Sequence, residues 1–398
     1  MRLVQSQAAV ARPRPGRPQK GCGIRKLAFA LSLACLFVPA SARAQNAYIT
    51  NSKPSEDNVS VIDTATNTVV GSPIPVGSVP FGVAVTSNKA FVTNESSANV
   101  SVIDTATNTV VGSPIPVGNA PTGIAASPDG KKVYVANGRD DTVSVIDTAT
   151  NTVIGAPITV GAHPSGVAVS PDGSTVYVTN NGSNNVSVIS TRTNVAGTII
   201  SVGSAPLGVA VTPDGKSVYV ANFLSNSVSV IDTATDTVET IRIINETPTA
   251  VAASPDSSKV YVTNSGANTV SVIDTATNTV INTITVGFGP FGVAVSPNGK
   301  EVFTANRGND TVSVIDTATD KVAVTIPSGT NPTAFGKFIQ PLPNFAGTPG
   351  QPNCRGVSVS ALAQKYGELS AAAAAFGLAV MDLQNAIGTL CRGSSQTF

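Results

Sequence analysis

The chain has 398 residues, one histidine, four cysteines and no tryptophan, with 24 Lys and Arg against 23 Asp and Glu. A single imidazole excludes His-rich copper or zinc centres. The lack of tryptophan argues against a large stacked redox cofactor.

Residues 1–44 hold eight of the basic residues and no acid. Leu27–Val38 is an apolar run of twelve residues, too short to span a bilayer comfortably. Ala42-Arg43-Ala44 then supplies the small residues of a cleavage site. This pattern predicts a secretory signal peptide cut after Ala44, with no transmembrane anchor. Its long basic start leaves room for translation to begin downstream of Met1. Acylation of Cys35 is the alternative, but Ser32 stands where Leu is expected and apolar residues continue past the cysteine. With the segment gone, 16 bases face all 23 acids, a net charge near −7. An acidic surface without a basic stripe gives no pull toward nucleic acid or anionic membrane. The expected location is the periplasm, or secreted at the cell surface.

From residue 46 the chain repeats. SVIDTAT begins at Ser60, Ser101, Ser144, Ser229, Ser271 and Ser313, with a degenerate SVISTRT at Ser187. Successive starts lie 41, 43, 43, 42, 42 and 42 residues apart. A period of roughly 40–45 residues with four strand-sized pieces per unit predicts a β-propeller blade. Two further landmarks keep the same count. One is an aromatic strand ending in Asn: YITN at Tyr48, FVTN at Phe91, YVAN at Tyr134, YVTN at Tyr177, YVAN at Tyr219, YVTN at Tyr261 and FTAN at Phe303. The other is a Pro-led segment starting at Pro80, Pro121, Pro164, Pro206, Pro248, Pro290 and Pro332.

The fifth unit shows how each reads. Leu207–Thr212 is strand a, and Pro213-Asp214-Gly215 a tight turn with Gly free to take positive φ. Ser217–Asn222 is strand b, Val228–Asp232 strand c and Thr237–Ile243 strand d. Val, Ile, Thr and Tyr suit such pleated, buried surfaces. Asp-Thr-Ala-Thr between c and d is a turn whose Asp bonds its own backbone. The first unit starts at strand b and lacks a strand a. The last Pro-led segment has no strand b after it. Thr333–Ile339 is therefore expected to be strand a of the first blade, a one-plus-three closure that removes open sheet edges.

These three motifs in register resemble the YVTN-repeat β-propeller family over about residues 46–339. The resemblance implies an all-β, seven-bladed propeller of four-stranded blades, spanning residues 45–339. It also implies cell-surface or periplasmic proteins that present an interaction face. YVTN propellers are similar in turn to lactonase-like propellers that hydrolyse sugar lactones.

Beyond the propeller, residues 340–352 are Pro/Gly-rich and read as a linker. Residues 353–398 hold three helix-prone stretches, Val357–Tyr366, Leu369–Phe376 and Val380–Leu390. Cys354 and Cys391 bracket this small helical module. An even pair in an exported chain predicts a disulfide, closing 37 residues and worth roughly 3–4 kcal/mol. Two free buried thiols are the alternative. The module is a folded cap or a docking unit for an envelope component.

A site on a ring breaks its symmetry, so its residues are those that do not repeat. The b–c and d–a loops emerge on one face and differ between blades. The a–b and c–d turns emerge on the other and are nearly uniform. On the variable face the candidate binding residues are Phe81, Arg139, His163, Leu207, Phe223, Leu224, Phe288, Phe291 and Arg307. Phe81, Phe291 and Leu207, with Phe288, Phe223 and Leu224 nearby, are expected to form an apolar patch at the channel mouth. His163 and Ser165 lie two residues apart on a turn without an orienting acid or a GxSxG elbow, so no catalytic residue is assigned. Asp140, Asp141 and Asp310 lack the spacing of a calcium loop, and no metal or cofactor is assigned. The expected function is an exported, monomeric binding or scaffold propeller for an unknown protein or cell-envelope component. A lactonase-like hydrolase and a surface-layer structural component are the alternatives.

Overall fold

The computed structural model describes residues 45–53, 56–243 and 246–341. The expected signal peptide, the expected helical module with Cys354 and Cys391, and all but the start of the expected linker lie outside the described residues.

Among the described residues the chain forms seven antiparallel sheets in sequence order. Blades 2 to 7 open with inner strands Pro80–Val85, Pro121–Ala126, Pro164–Val169, Pro206–Val211, Pro248–Ala253 and Pro290–Val295. In each, the aromatic strand follows, then the SVID strand, then the outer strand. Blades 1 to 3 differ at the outer edge. There a Gly-Ser-Pro or Gly-Ala-Pro insertion splits strand d in two, as in Thr68–Val69 and Ile74–Pro75. Gly71 takes a positive φ and Pro73 has no N–H to donate, so pairing stops between them.

The ring closes as the repeat count requires. Thr333 N–H donates to Thr50 C=O (2.9 Å) and Tyr48 N–H to Phe338 C=O (2.9 Å). Bridges at Asn51–Pro332 and Ala47–Ile339 mark the two ends of this pairing. Residues 332–339 therefore supply the inner strand of blade 1, whose other strands begin at Asn46.

Each aromatic strand lies in the middle of a sandwich between blades. Tyr48, Tyr134, Tyr219, Tyr261, Phe91 and Phe303 are fully buried. Val and Ile from facing sheets pack around them; Val228 and Val230 of blade 5 meet Val260 and Val262 of blade 6. The alternation of the strands feeds both faces of every sheet into such a layer, which is why all seven blades read as apolar.

The repeated polar residues hold this stack together. The Asn that ends each aromatic strand is buried, and its Nδ2 reaches the Ser of the SVID strand in all seven blades, as in Asn94 to Ser101 (2.9 Å) and Asn264 to Ser271 (2.8 Å). In blades 1, 2, 4 and 6 the Thr before it stitches one blade to the next. Thr93 Oγ1 donates to Thr122 C=O (2.8 Å) and Thr263 Oγ1 to Phe291 C=O (2.8 Å). Inner strands touch at their backbones: a Cβ on Gly123 would collide with the Ser165 carbonyl. The Asp of the DTAT turn accepts N–H groups two and three residues on, as Asp104 does from Ala106 and Thr107. The Asp-Thr turn also binds the a–b turn beside it, for example Thr148 Oγ1 to Gly130 C=O (2.6 Å). Those two turn types thus share one face.

Candidate functional site

The opposite face is built from the b–c and d–a loops, which bond to each other. Gly138 N–H reaches Ala120 C=O (2.9 Å) and Asn181 N–H reaches His163 C=O (2.9 Å). A second tie recurs at six of the seven positions. The residue before strand c accepts the backbone N–H of the residue before the next Pro. The acceptors are Asp57, Asp141, Asn184, Asn226, Asn268 and Asp310. The remaining loop has Ala98 there. Asp141 and Asp310 are therefore occupied in holding loops. Asp140 is occupied too: Asn119 donates through both its backbone N–H (2.7 Å) and its side chain, holding the carboxyl below its ordinary range.

At the centre of this face the expected apolar residues do come together. The Phe81 and Phe291 rings meet edge to face with centroids 5.4 Å apart. Phe335, from the closing strand, completes a triangle at 5.6 and 5.8 Å. Leu207 from blade 5 packs against the same cluster. Phe81, Phe291 and Leu207 are half-buried and Phe335 is buried. The cluster is an aromatic plug in which Phe335 lines the channel and Phe81, Phe291 and Leu207 keep part of their surface. Aromatic pairs in this geometry add about 0.5–1.5 kcal/mol beyond the area they bury. Arg307 lays its guanidinium over Phe291, 5.8 Å from the centroid.

The other candidates form a rim. Leu224 is 69% exposed and Phe288 65% exposed, while Phe223 is half-buried. Phe288 neighbours the Arg307 loop, since Gly308 N–H donates to Phe288 C=O (2.8 Å). Arg139 is exposed on the blade 3 loop. His163 is also exposed but tied down: its backbone N–H donates to Asp141 and its Nδ1 lies 3.1 Å from Gly138 C=O. Ser165 is buried. Glu246 accepts from Ser271 Oγ (3.2 Å) in blade 6. These polar groups are spread over separate blades, and among the described residues no group of three His, Cys, Asp or Glu is placed to hold a metal ion. Apolar side chains are also exposed on outer strands, Val195 and Ile199 most of all.

Sequence reasoning missed Phe335. It was legible only as one of the residues of the closing strand. The Asx ties of the loops had a signal that went unread, an Asp or Asn immediately before strand c in six units.

Residues 49–315 match the virginiamycin B lyase family. The chain belongs to that family. No functionally curated protein matches this member. Among solved structures it is similar to a chain of Kuenenia stuttgartiensis hydrazine synthase, with 28% identity and a TM-score of 0.61 over 68% of this chain and 95% of that one. A protein of unknown function from Desulfotomaculum acetoxidans aligns at 18% identity and a TM-score of 0.62, over 73% of this chain and all of that one. A Bacteroides fragilis protein provisionally named a 6-phosphogluconolactonase aligns at 17% identity and a TM-score of 0.63, over 74% of this chain and 98% of that one. The last two likenesses show the fold alone.

Proposed function

We propose that this family member is an exported YVTN-type binding propeller that engages a protein or cell-envelope component through its b–c and d–a loop face, without chemistry of its own. The observation that carries this reading is the pair of largely exposed apolar side chains, Leu224 and Phe288, on the face that also holds the Phe81–Phe291–Phe335 plug and Arg307. Exposed aromatic and aliphatic groups beside a stacked Arg are the usual anchors of an interface. The leader segment and the Cys354/Cys391 pair support an exported chain, processed near Ala44 and stapled at its C-terminal module.

The family name points to a lyase, and the Bacteroides neighbour's name to a lactone hydrolase. The rival reading is therefore an enzyme of that face. It needs a general base with an orienting partner. His163 has its Nδ1 beside a backbone carbonyl, and the adjacent Asp141 is taken by a backbone N–H, which weighs against it.

The test is a double variant, Leu224→Ser with Phe288→Ser, measured for retention on the envelope fraction of the producing cells. Retention falls at least tenfold while the melting temperature stays within about 1 °C, because exposed substitutions rarely shift stability by more than about 0.5 kcal/mol. Undiminished retention refutes the face. Lactone opening by the purified protein, abolished by His163→Ala, replaces the reading with the enzyme.

A further inference from the structure

The closing strand differs from its six counterparts in length. In blades 2 to 7 the inner strand advances five residues while its partner advances four, as from Pro80 to Val85 against Asn94 to Ala90. In blade 1 it advances seven, from Pro332 to Ile339, while the partner again advances four, from Asn51 to Ala47. Two extra residues must leave the ladder. They do so across Ala334–Lys337, where Ala334 has φ 44° and Gly336 φ 109°. Glycine is required at 336: its φ suits no other residue well, and a Cβ there would stand 2.8 Å from Val83 C=O and 3.0 Å from Ile124 C=O.

The bulge turns its backbone toward blade 2. Val83 N–H donates to Phe335 C=O (2.8 Å) and Val85 N–H to Lys337 C=O (3.2 Å). The result is that Phe335 and Lys337 both line the central channel. That channel holds a cavity of about 480 Å³, within the roughly 300–1,000 Å³ of small-molecule sites. Phe335, a member of the aromatic plug, lines its inner end. Pro128, Pro171, Pro213, Pro255 and Pro297 of the a–b turns line it too, as does Pro341. The cavity therefore extends to the uniform face, away from the candidate interface.

Its wall is apolar. Ala and Val, with Ile124, from the inner strands of blades 2 to 7 form most of it, with a few hydroxyls, Thr86, Ser87 and Ser127, near the turns. Lys337 and Asp129 are the titratable residues among those lining it. Asp129 belongs to an a–b turn, where Ser127 and Lys131 already bond and pair with it. The Lys337 ammonium has no hydrogen-bond or ion-pair partner among the described residues. Its side chain is exposed, yet it lines the apolar channel, whose wall desolvates its charge. The two facts agree if the surface it keeps faces channel water and not bulk solvent. Enclosure pushes the ammonium's pKa below its ordinary value. The bulge thus sets an unpaired cation in an apolar channel, which costs free energy unless a partner binds there.

We infer that the channel is a binding site for a small carboxylate with an apolar body, its carboxylate paired with Lys337 and its apolar part against the Val, Ala and Phe335 wall. One cation in an apolar cavity suits a single negative charge; a phosphate would need more donors than this wall offers. The site is independent of the loop-face reading, since it lies on the other side of the plug.

Octanoate is the probe, tested on the full chain by calorimetry and by displacement of the anionic dye anilinonaphthalene sulfonate. Octanoate binds, and 1-octanol and octylamine bind at least tenfold more weakly. Lys337→Met removes the octanoate preference and leaves the weak octanol binding in place. Lys337→Arg retains most of it. Circular dichroism of both variants establishes that the fold is intact. No octanoate binding to the wild-type chain, equal binding of octanoate and octanol, or an unchanged octanoate affinity in Lys337→Met each overturns the proposal.

Discussion

Removing the closing strand opens the ring, and the structure sets the scale of the loss. Six backbone hydrogen bonds join residues 332–340 to blades 1 and 2: from Tyr48, Val83 and Val85 into the strand, and from Thr333, Phe335 and Gln340 out of it. Each is worth about 1 kcal/mol net. Phe338 is fully buried and Phe335 nearly so, and truncating a buried Phe to Ala costs about 3–5 kcal/mol. Against a total stability of about 5–15 kcal/mol, loss of the whole segment removes most or all of it. A chain ending at Asn331 is thus expected to lose cooperative unfolding, whereas one ending at Pro341 keeps it. Phe338→Ala isolates the contribution of one side chain. At roughly 2 °C per kcal/mol for a body of this size, it lowers the melting temperature by roughly 6–10 °C. Circular dichroism melts of the three proteins decide the matter. Equal melting of the two truncations, or a Phe338→Ala shift under 2 °C, refutes this account of closure.

Asn222→Ala removes two buried bonds, to Ser227 (3.1 Å) and Ser229 (2.9 Å), and urea titration should show a loss of about 1–3 kcal/mol. Asp172, bonded by Ser170 and Ser174, has its pKa lowered to about 2, so its stabilisation is present above the unfolded value of 3.8 and lost as pH falls through about 2. Asp172→Asn should accordingly melt slightly lower than wild type at pH 7, with the gap closing below pH 3. Lys337 has the opposite sense: its folded pKa is depressed, so the folded chain binds fewer protons and the penalty is full below that folded value. Lys337→Met should melt higher than wild type at neutral pH, and the gap should narrow as pH rises toward 10.5.

Much of the ring was legible before any coordinates. Seven SVID and seven aromatic strands fixed the blade count, and the orphan Pro332 segment paired with the orphan Tyr48 strand gave the closure. These are features of period and order, which the sequence displays directly. The apolar cluster was legible in part. Phe81, Phe291 and Leu207 break the repeat and so drew attention, but their half-burial depended on Phe335, which no offset singled out. The role of the repeated Thr was hidden because its partner carbonyl lies in the next blade, a non-local contact that a period does not reveal. Asp141 and Asp310 looked like free carboxylates for the same reason; their N–H partners sit 21 or 22 residues on, at His163 and Asn331. Lys337 escaped notice because two added residues in an eight-residue segment do not disturb a 42-residue period. The channel's extension to the uniform turns was equally unreadable, since no residue there breaks the repeat.

The binding account is tested most directly by hydrogen–deuterium exchange on the protein bound to its captured envelope component. It predicts new protection of backbone amides in the b–c and d–a loops around Leu224, Phe288 and Arg307, with the a–b turns at Asp129, Asp172 and Asp214 unchanged. Protection confined to those a–b turns, with the loops around Leu224 and Phe288 exchanging as in the free protein, would contradict it.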